Sequence, residues 1–126
     1  MSLSLTTVGQ IGVGISDQDR ATAFYRDILG MQFLFQVPGM SFFNCNGVRL
    51  MLALPEGGGS NHESSVIYYK VDDIHASTDA LRSQDVTITG EPHEIAKLED
   101  HALWMSFFED SEGNTVSLMS EVAFVG

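Results

Sequence analysis

The order strand, helix, three strands is written twice in this chain, and that repeat limits the possible folds more than any single motif. In the first copy, residues 8–15 read as a strand with Gly12 and Gly14 on the same face as Gln10. Asp17 and Asp19 supply helix-start chemistry, Ala21, Phe24, Tyr25, Ile28 and Leu29 follow at helical spacing, and Gly30 ends the helix. Strands are expected over 33–37, 41–45 and 48–54, separated by Pro38-Gly39 and by Asn46-Gly47, a dipeptide suited to a tight hairpin. In the second copy a strand over 65–71 precedes Asp72-Asp73 and a weaker amphipathic helix carrying Ile74, Ala80 and Leu81. A short element at 86–89, an irregular loop over 91–100, and strands over 102–108 and 115–120 around a polar turn complete it.

The repeat can be tested on residues. Ile11, Ile15 and Asp17 superpose on Ile67, Val71 and Asp73 with an offset of 56, which sets Gln10 over Val66. Gly47, Leu50 and Leu52 superpose on Gly113, Val116 and Leu118 with an offset of 66, which sets Met51 over Ser117. The added length falls in the 91–100 loop. A glycine-rich connector over 55–64 joins the copies, so the chain reads as one α+β domain, 1–126, of two modules at about 8–54 and 65–121.

Charge then narrows the partners. With 6 Lys+Arg against 17 Asp+Glu, the net charge is −11, which repels phosphate backbones and anionic lipid, and no basic patch offsets it. Neither nucleic acid nor membrane is an expected partner, because the apolar runs are also far shorter than the roughly 20 residues that span a bilayer. A basic, apolar leader is not seen at the N-terminus, and the single cysteine, Cys45, forms no internal disulfide; both fit a cytoplasmic protein. Cys45 reads as a small core residue, and Gly57, Gly58 and Gly59 lack the spacing of a phosphate cradle. The pairs Asp72-Asp73 and Glu99-Asp100 are accounted for by capping and solvation.

The pieces Ile15-Ser16-Asp17, Ala23-Phe24-Tyr25-Arg26-Asp27-Ile28-Leu29-Gly30, Val71-Asp72-Asp73-Ile74 and Phe107-Phe108-Glu109-Asp110-Ser111-Glu112-Gly113-Asn114 resemble the vicinal-oxygen-chelate superfamily. It groups glyoxalase I, extradiol dioxygenases, methylmalonyl-CoA epimerase and the bleomycin and fosfomycin resistance proteins. The resemblance implies two βαβββ modules whose sheets curl around one cleft, the glyoxalase/bleomycin-resistance/dioxygenase fold, completed as a homodimer. It also implies that the first and fourth strands of each module carry the metal ligands of the metal enzymes, here Gln10, Met51, Val66 and Ser117. Valine offers no donor, a thioether is soft and a serine hydroxyl is a poor ligand, so this set predicts no standard metal site and no cofactor.

Strand alternation extends the candidate cleft. With Met51 inward, Arg49 and Ala53 follow; with Val66 inward, Tyr68 and Lys70; with Ser117 inward, Met119. Arg49 either anchors a carboxylate or phosphate, or forms a salt bridge to an acidic neighbour or across the dimer. His62 and His75 read as solvated surface groups, His93 follows Pro92, and His101 precedes Trp104 on a strand bordering the cleft. The expected ligand contacts are therefore Gln10, Phe43, Arg49, Met51, Val66, Tyr68, His101, Trp104 and Ser117, around a small, partly apolar organic molecule; no catalytic residue is assigned. The alternative is a metal-dependent glyoxalase-like lyase or isomerase, or an extradiol-type dioxygenase, recruiting His101 or Glu121 with Gln10. A third reading is an accessory module without a small ligand.

Overall fold

A computed structural model describes residues 3–55 and 65–123. The chain divides after Ser64 into two units, each a βαβββ module with its own four-stranded mixed sheet. Gly57, Gly58, Gly59 and His62, weighed in the sequence, lie outside the described residues.

In the first unit β1 (Gln10–Gly14) is followed by α1 (Gln18–Ala23) and a π-helical turn (Phe24–Ile28). Asp17 caps α1, its carboxylate accepting the Arg20 amide at 3.0 Å. The turn widens so that consecutive Phe24 and Tyr25 are both buried, and Gly30, at φ 71°, reverses the chain where an ordinary side chain would be strained. The strands β2 (Gln32–Val37), β3 (Met40–Cys45) and β4 (Val48–Ala53) complete a sheet of order β1-β4-β3-β2. Asn46 and Gly47 both take positive φ, as a two-residue hairpin requires. The Gln18 amide fastens the other hairpin, donating to the Val37 and Met40 carbonyls at 2.8 and 3.1 Å and accepting from the Gly39 amide at 2.9 Å.

One face of this sheet takes the helix. Ile11, Val13, Leu50, Leu52, Ser41 and Phe43 share it through the strand register, and Phe43 packs on Tyr25 and Phe33 with ring centroids 6.2 and 5.6 Å away. Burying each such aromatic contributes on the order of 2–3 kcal/mol.

The second unit repeats the plan with β5 (Tyr68–Lys70), α2 (Ile74–Arg82), β6 (Ile88–Lys97), β7 (His101–Glu109) and β8 (Thr115–Ala123), in the order β5-β8-β7-β6. Asp73 caps α2 as Asp17 caps α1, its carboxylate accepting the Ala76 amide at 3.0 Å. Register reproduces the offsets read from the sequence: Gly12 pairs with Met51, and Tyr68 pairs with Ser117. A further correspondence joins each helix to its sheet. The Thr22 hydroxyl donates to the Gln18 carbonyl and meets Ser41 Oγ at 2.7 Å; the Thr78 hydroxyl donates to the Ile74 carbonyl and meets Ser106 Oγ at 2.8 Å. Each threonine spends its proton on a carbonyl, so the buried serine is the donor between the hydroxyls.

The irregular loop expected over 91–100 is corrected by β6, which runs through most of it. It is an edge strand whose register shifts between Ile88 and Gly90, Gly90 and His93, and Glu94 and Ala96. Bulges at these points break the period-two pattern, and an edge position tolerates Pro92. The added length of the second unit is thus an extended sheet: β6, β7 and β8 hold 10, 9 and 9 residues, against 6 each in β2, β3 and β4.

Candidate functional site

The face of the first sheet away from the helix carries Gln10, Gly12 and Gly14 on β1, Arg49, Met51 and Ala53 on β4, and Met40, Phe42 and Asn44 on β3. Small residues on β1 leave room beside Met51, because a Cβ added to Gly12 would lie 3.6 Å from its terminal methyl. The Gln10 amide donates toward the Met51 sulfur at 3.6 Å. Phe35 and Phe42 stack with centroids 4.6 Å apart, and the Arg49 guanidinium stands 5.9 Å over the Phe42 ring.

Arg20, Arg26, Lys70 and Arg82 all have carboxylate partners. Among the described residues Arg49 has none, so its fork of donors remains available to an oxyanion. A salt bridge to an acidic neighbour within the described residues is not formed; a bridge to a second copy is a separate matter.

Phe43, expected in the cleft, points the other way. It is fully buried on the helix-bearing side, and Phe42, itself largely covered by Phe35 and Arg49, takes its place on the helix-free face. Two consecutive buried phenylalanines hide the alternation that would have separated them.

In the second sheet the corresponding face carries Tyr68, Lys70, Ser117, Met119, Phe107 and Met105, with His93 opposite Met105 on the edge strand. Tyr68 and Phe107 flank Ser117 on its two neighbouring strands, with rings 6.2 Å apart at 79°. Between them Ser117 is fully buried, its hydroxyl within 2.9 Å of the Ser106 carbonyl and 3.1 Å of the Leu118 carbonyl. Val66 precedes β5 and is half-buried. His93, Met105 and Phe107 were not singled out for this face; the bulges of β6 hide the first, and parity from Ser117 across to β7 would have found the other two.

His101 shares this face but lies six residues along β7 from Phe107, the partner of Ser117, a separation of about 20 Å. Its Nδ1 lies 2.7 Å from the Asp100 carboxylate, and that hydrogen bond holds the Asp100 pKa below the ordinary carboxylate value. Trp104, three residues from His101, faces the helix, with its ring 5.4 Å from His75. Neither therefore joins Tyr68 and Ser117.

The metal-ligand positions implied by the resemblance fail on their own chemistry. The Met51 thioether receives the Gln10 amide, Ser117 Oγ is sealed against backbone carbonyls, and Val66 has no donor atom. These residues do not fit a first-row divalent ion. No group of three or more His, Cys, Asp or Glu side chains suited to a metal occurs among the described residues.

Residues 7–118 match the Glyoxalase/Bleomycin resistance protein/Dioxygenase superfamily, and the chain belongs to it. Solved structures agree at the level of fold. A superfamily member from Sphaerobacter thermophilus DSM 20745 is 24% identical at a TM-score of 0.77, over 94% of this chain and 100% of its own. The lactoylglutathione lyase from Agrobacterium tumefaciens is 18% identical at 0.75, over 91% and 93%. A glyoxalase-related enzyme from Fulvimarina pelagi is 18% identical at 0.74, over 92% and 88%. No curated protein matches the chain. No helix among the described residues is long and apolar enough to cross a membrane.

Proposed function

We propose that this chain is a cytoplasmic, homodimeric binding protein for a small organic molecule with an apolar body and an anionic group, working without the standard metal of its superfamily. The observation that carries the reading is Arg49 on the helix-free face of the first sheet, without a carboxylate partner among the described residues and beside the stacked Phe35 and Phe42. An aromatic floor takes up apolar surface, a guanidinium fixes an oxyanion, and Gln10 supplies an amide at the same edge. Tyr68 and Phe107 offer a second aromatic surface in the other unit. As a sink for its ligand the protein needs no reacting group, and no proton transfer is assigned to any residue.

Thermal shift across a panel of aromatic and aliphatic carboxylates and phosphates tests this directly. Stabilisation by an anionic member is expected, together with its loss in Arg49→Ala; stabilisation that survives Arg49→Ala overturns the assignment of the anchor. Light scattering at micromolar concentration is expected to give a dimeric mass. Elemental analysis of protein purified without chelator is expected to find no stoichiometric divalent metal.

Gln10 favours a second reading. Glutamine is a ligand type that glyoxalases use, and one similar fold is that of a lactoylglutathione lyase. Stoichiometric nickel, zinc, iron or manganese that disappears in Gln10→Ala would replace the metal-free reading with a metal-dependent lyase, isomerase or dioxygenase.

A further inference from the structure

The arm by which the second unit exceeds the first builds a separate cavity. It is a pocket of about 340 Å³, open to solvent on one side, on the helix-bearing face between the start of α2 and strands β7 and β8. Trp104, Ser120 and Val122 come from the lengthened strands, while Ile74 and His75 come from the helix. That volume lies within the range of small-molecule sites, roughly 300–1,000 Å³. The proposed binding residues Arg49, Phe42 and Gln10 belong to a helix-free face in the other unit, so the two sites stand or fall separately.

We infer that this cavity binds a small organic cation, a quaternary ammonium or protonated amine with a compact apolar body. Its aromatic wall is the Trp104 indole, against which His75 packs with ring centroids 5.4 Å apart and planes at 64°. Indole presents the most favourable aromatic face to a cation. Asp72 and Asp73 line the cavity, and Glu94, which does not line it, is the register partner of Trp104 across β6 and β7. Asp72 and Glu94 have no ion pair among the described residues, since Arg82 is engaged by Asp79 and Glu91 and Lys70 by Glu121. Lys97, opposite Ala102 in the same register, is like Glu94 outside the lining.

Other ligand classes fit less well. An anion would be drawn to the amides at the start of α2, but the Asp73 carboxylate already accepts there and Asp72 repels. A neutral apolar ligand would use the walls formed by Ile74 and Val122 and leave the carboxylates idle.

Trp104 is the single tryptophan of the chain, so its fluorescence reports on this cavity selectively. The test titrates the intact protein with choline, with its uncharged isostere 3,3-dimethylbutan-1-ol, and with 3,3-dimethylbutanoate. Choline is expected to give a saturable change below about 10 mM, and the two controls much weaker responses. Asp72→Asn and Glu94→Gln, both at exposed positions, are each expected to weaken choline by about threefold. A flat choline titration, equal saturation by the neutral isostere, preference for the carboxylate, or unchanged affinity in both variants would overturn the proposal.

Discussion

Met51 and Ser117 occupy one place in two copies of the same module, yet their surroundings are opposite. Met51 lies between a glycine and Phe42, with room beside it. Ser117 lies between Tyr68 and Phe107, which close over it completely. The helix-bearing faces diverged far less. Both keep an aspartate cap, a threonine and serine meeting across helix and sheet, and a Phe-Phe pair whose second member is buried. Packing constrains the inner face of each copy, whereas the outer face was free to change from open to closed.

The largest effects should come from that shared inner face. Phe43→Ala and Phe108→Ala are each expected to lower stability by about 3–5 kcal/mol, measured by urea unfolding, because each removes a fully enclosed ring. Phe42→Ala should cost less and weaken ligand binding instead. A ranking in which Phe42 outweighs Phe43 would break the equivalence of the two copies.

A second test contrasts the turns before β4 and β8. Asp110, almost fully buried, accepts the Glu112 and Asn114 amides at 2.8 and 2.9 Å and the Asn114 side chain at 3.0 Å. The corresponding turn in the first unit has Asn44 making two neutral, solvent-exposed bonds, accepting the Gly47 amide at 3.0 Å and donating to the Gln32 side chain at 3.0 Å. Asp110→Ala should therefore cost about 2–4 kcal/mol and Asn44→Ala about 1 kcal/mol, by the number and charge of the bonds lost. Equal costs would show that the charged acceptor adds nothing.

Gly12→Ala probes the outer face. The new methyl makes only ordinary contact with Met51, so stability should change by less than about 1 kcal/mol. Gly12→Tyr, which copies the Tyr68 arrangement, should abolish binding by the first unit while Arg49 remains in place. Undiminished binding in that variant would move the ligand elsewhere.

Much of this architecture was legible because its signals are local. Asp17 and Asp73 cap as their positions before helical spacing imply, and Asn46-Gly47 makes the expected hairpin. The offsets of 56 and 66 hold in the strand register, where Gly12 pairs with Met51 and the equivalent Tyr68 with Ser117. What escaped depended on contacts across the sheet. Edge strand β6 lost its alternation to three bulges, and Phe43 could not be told from Phe42 when both are buried. Trp104 and His101 stand three residues apart on one strand, which alone places them on opposite faces. His75 is exposed, as read from the sequence, and its ring also meets Trp104 because the lengthened strands bring the indole to the start of α2.

The smallest expected effect compares two exposed carboxylates, one in each unit. Asp27 and Asp100 are both held below the ordinary aspartate value of 3.8, by hydrogen bonds from Arg26 and His101 respectively. A depressed folded-state pKa means the contribution is present above the unfolded value and disappears as pH falls through the folded one. The window therefore lies below about pH 4 for both groups. Both carboxylates are largely exposed, and solvent screening keeps each contribution slight. In a urea-midpoint series from about pH 5 to about pH 2, the range over which aspartates titrate, Asp27→Asn and Asp100→Asn should each start slightly below the parent and converge on it. An offset that persists at the acid end would mean that the amide disturbs packing, not charge, and would separate the Asp100-His101 pair from any electrostatic role in the arm that only the second unit possesses.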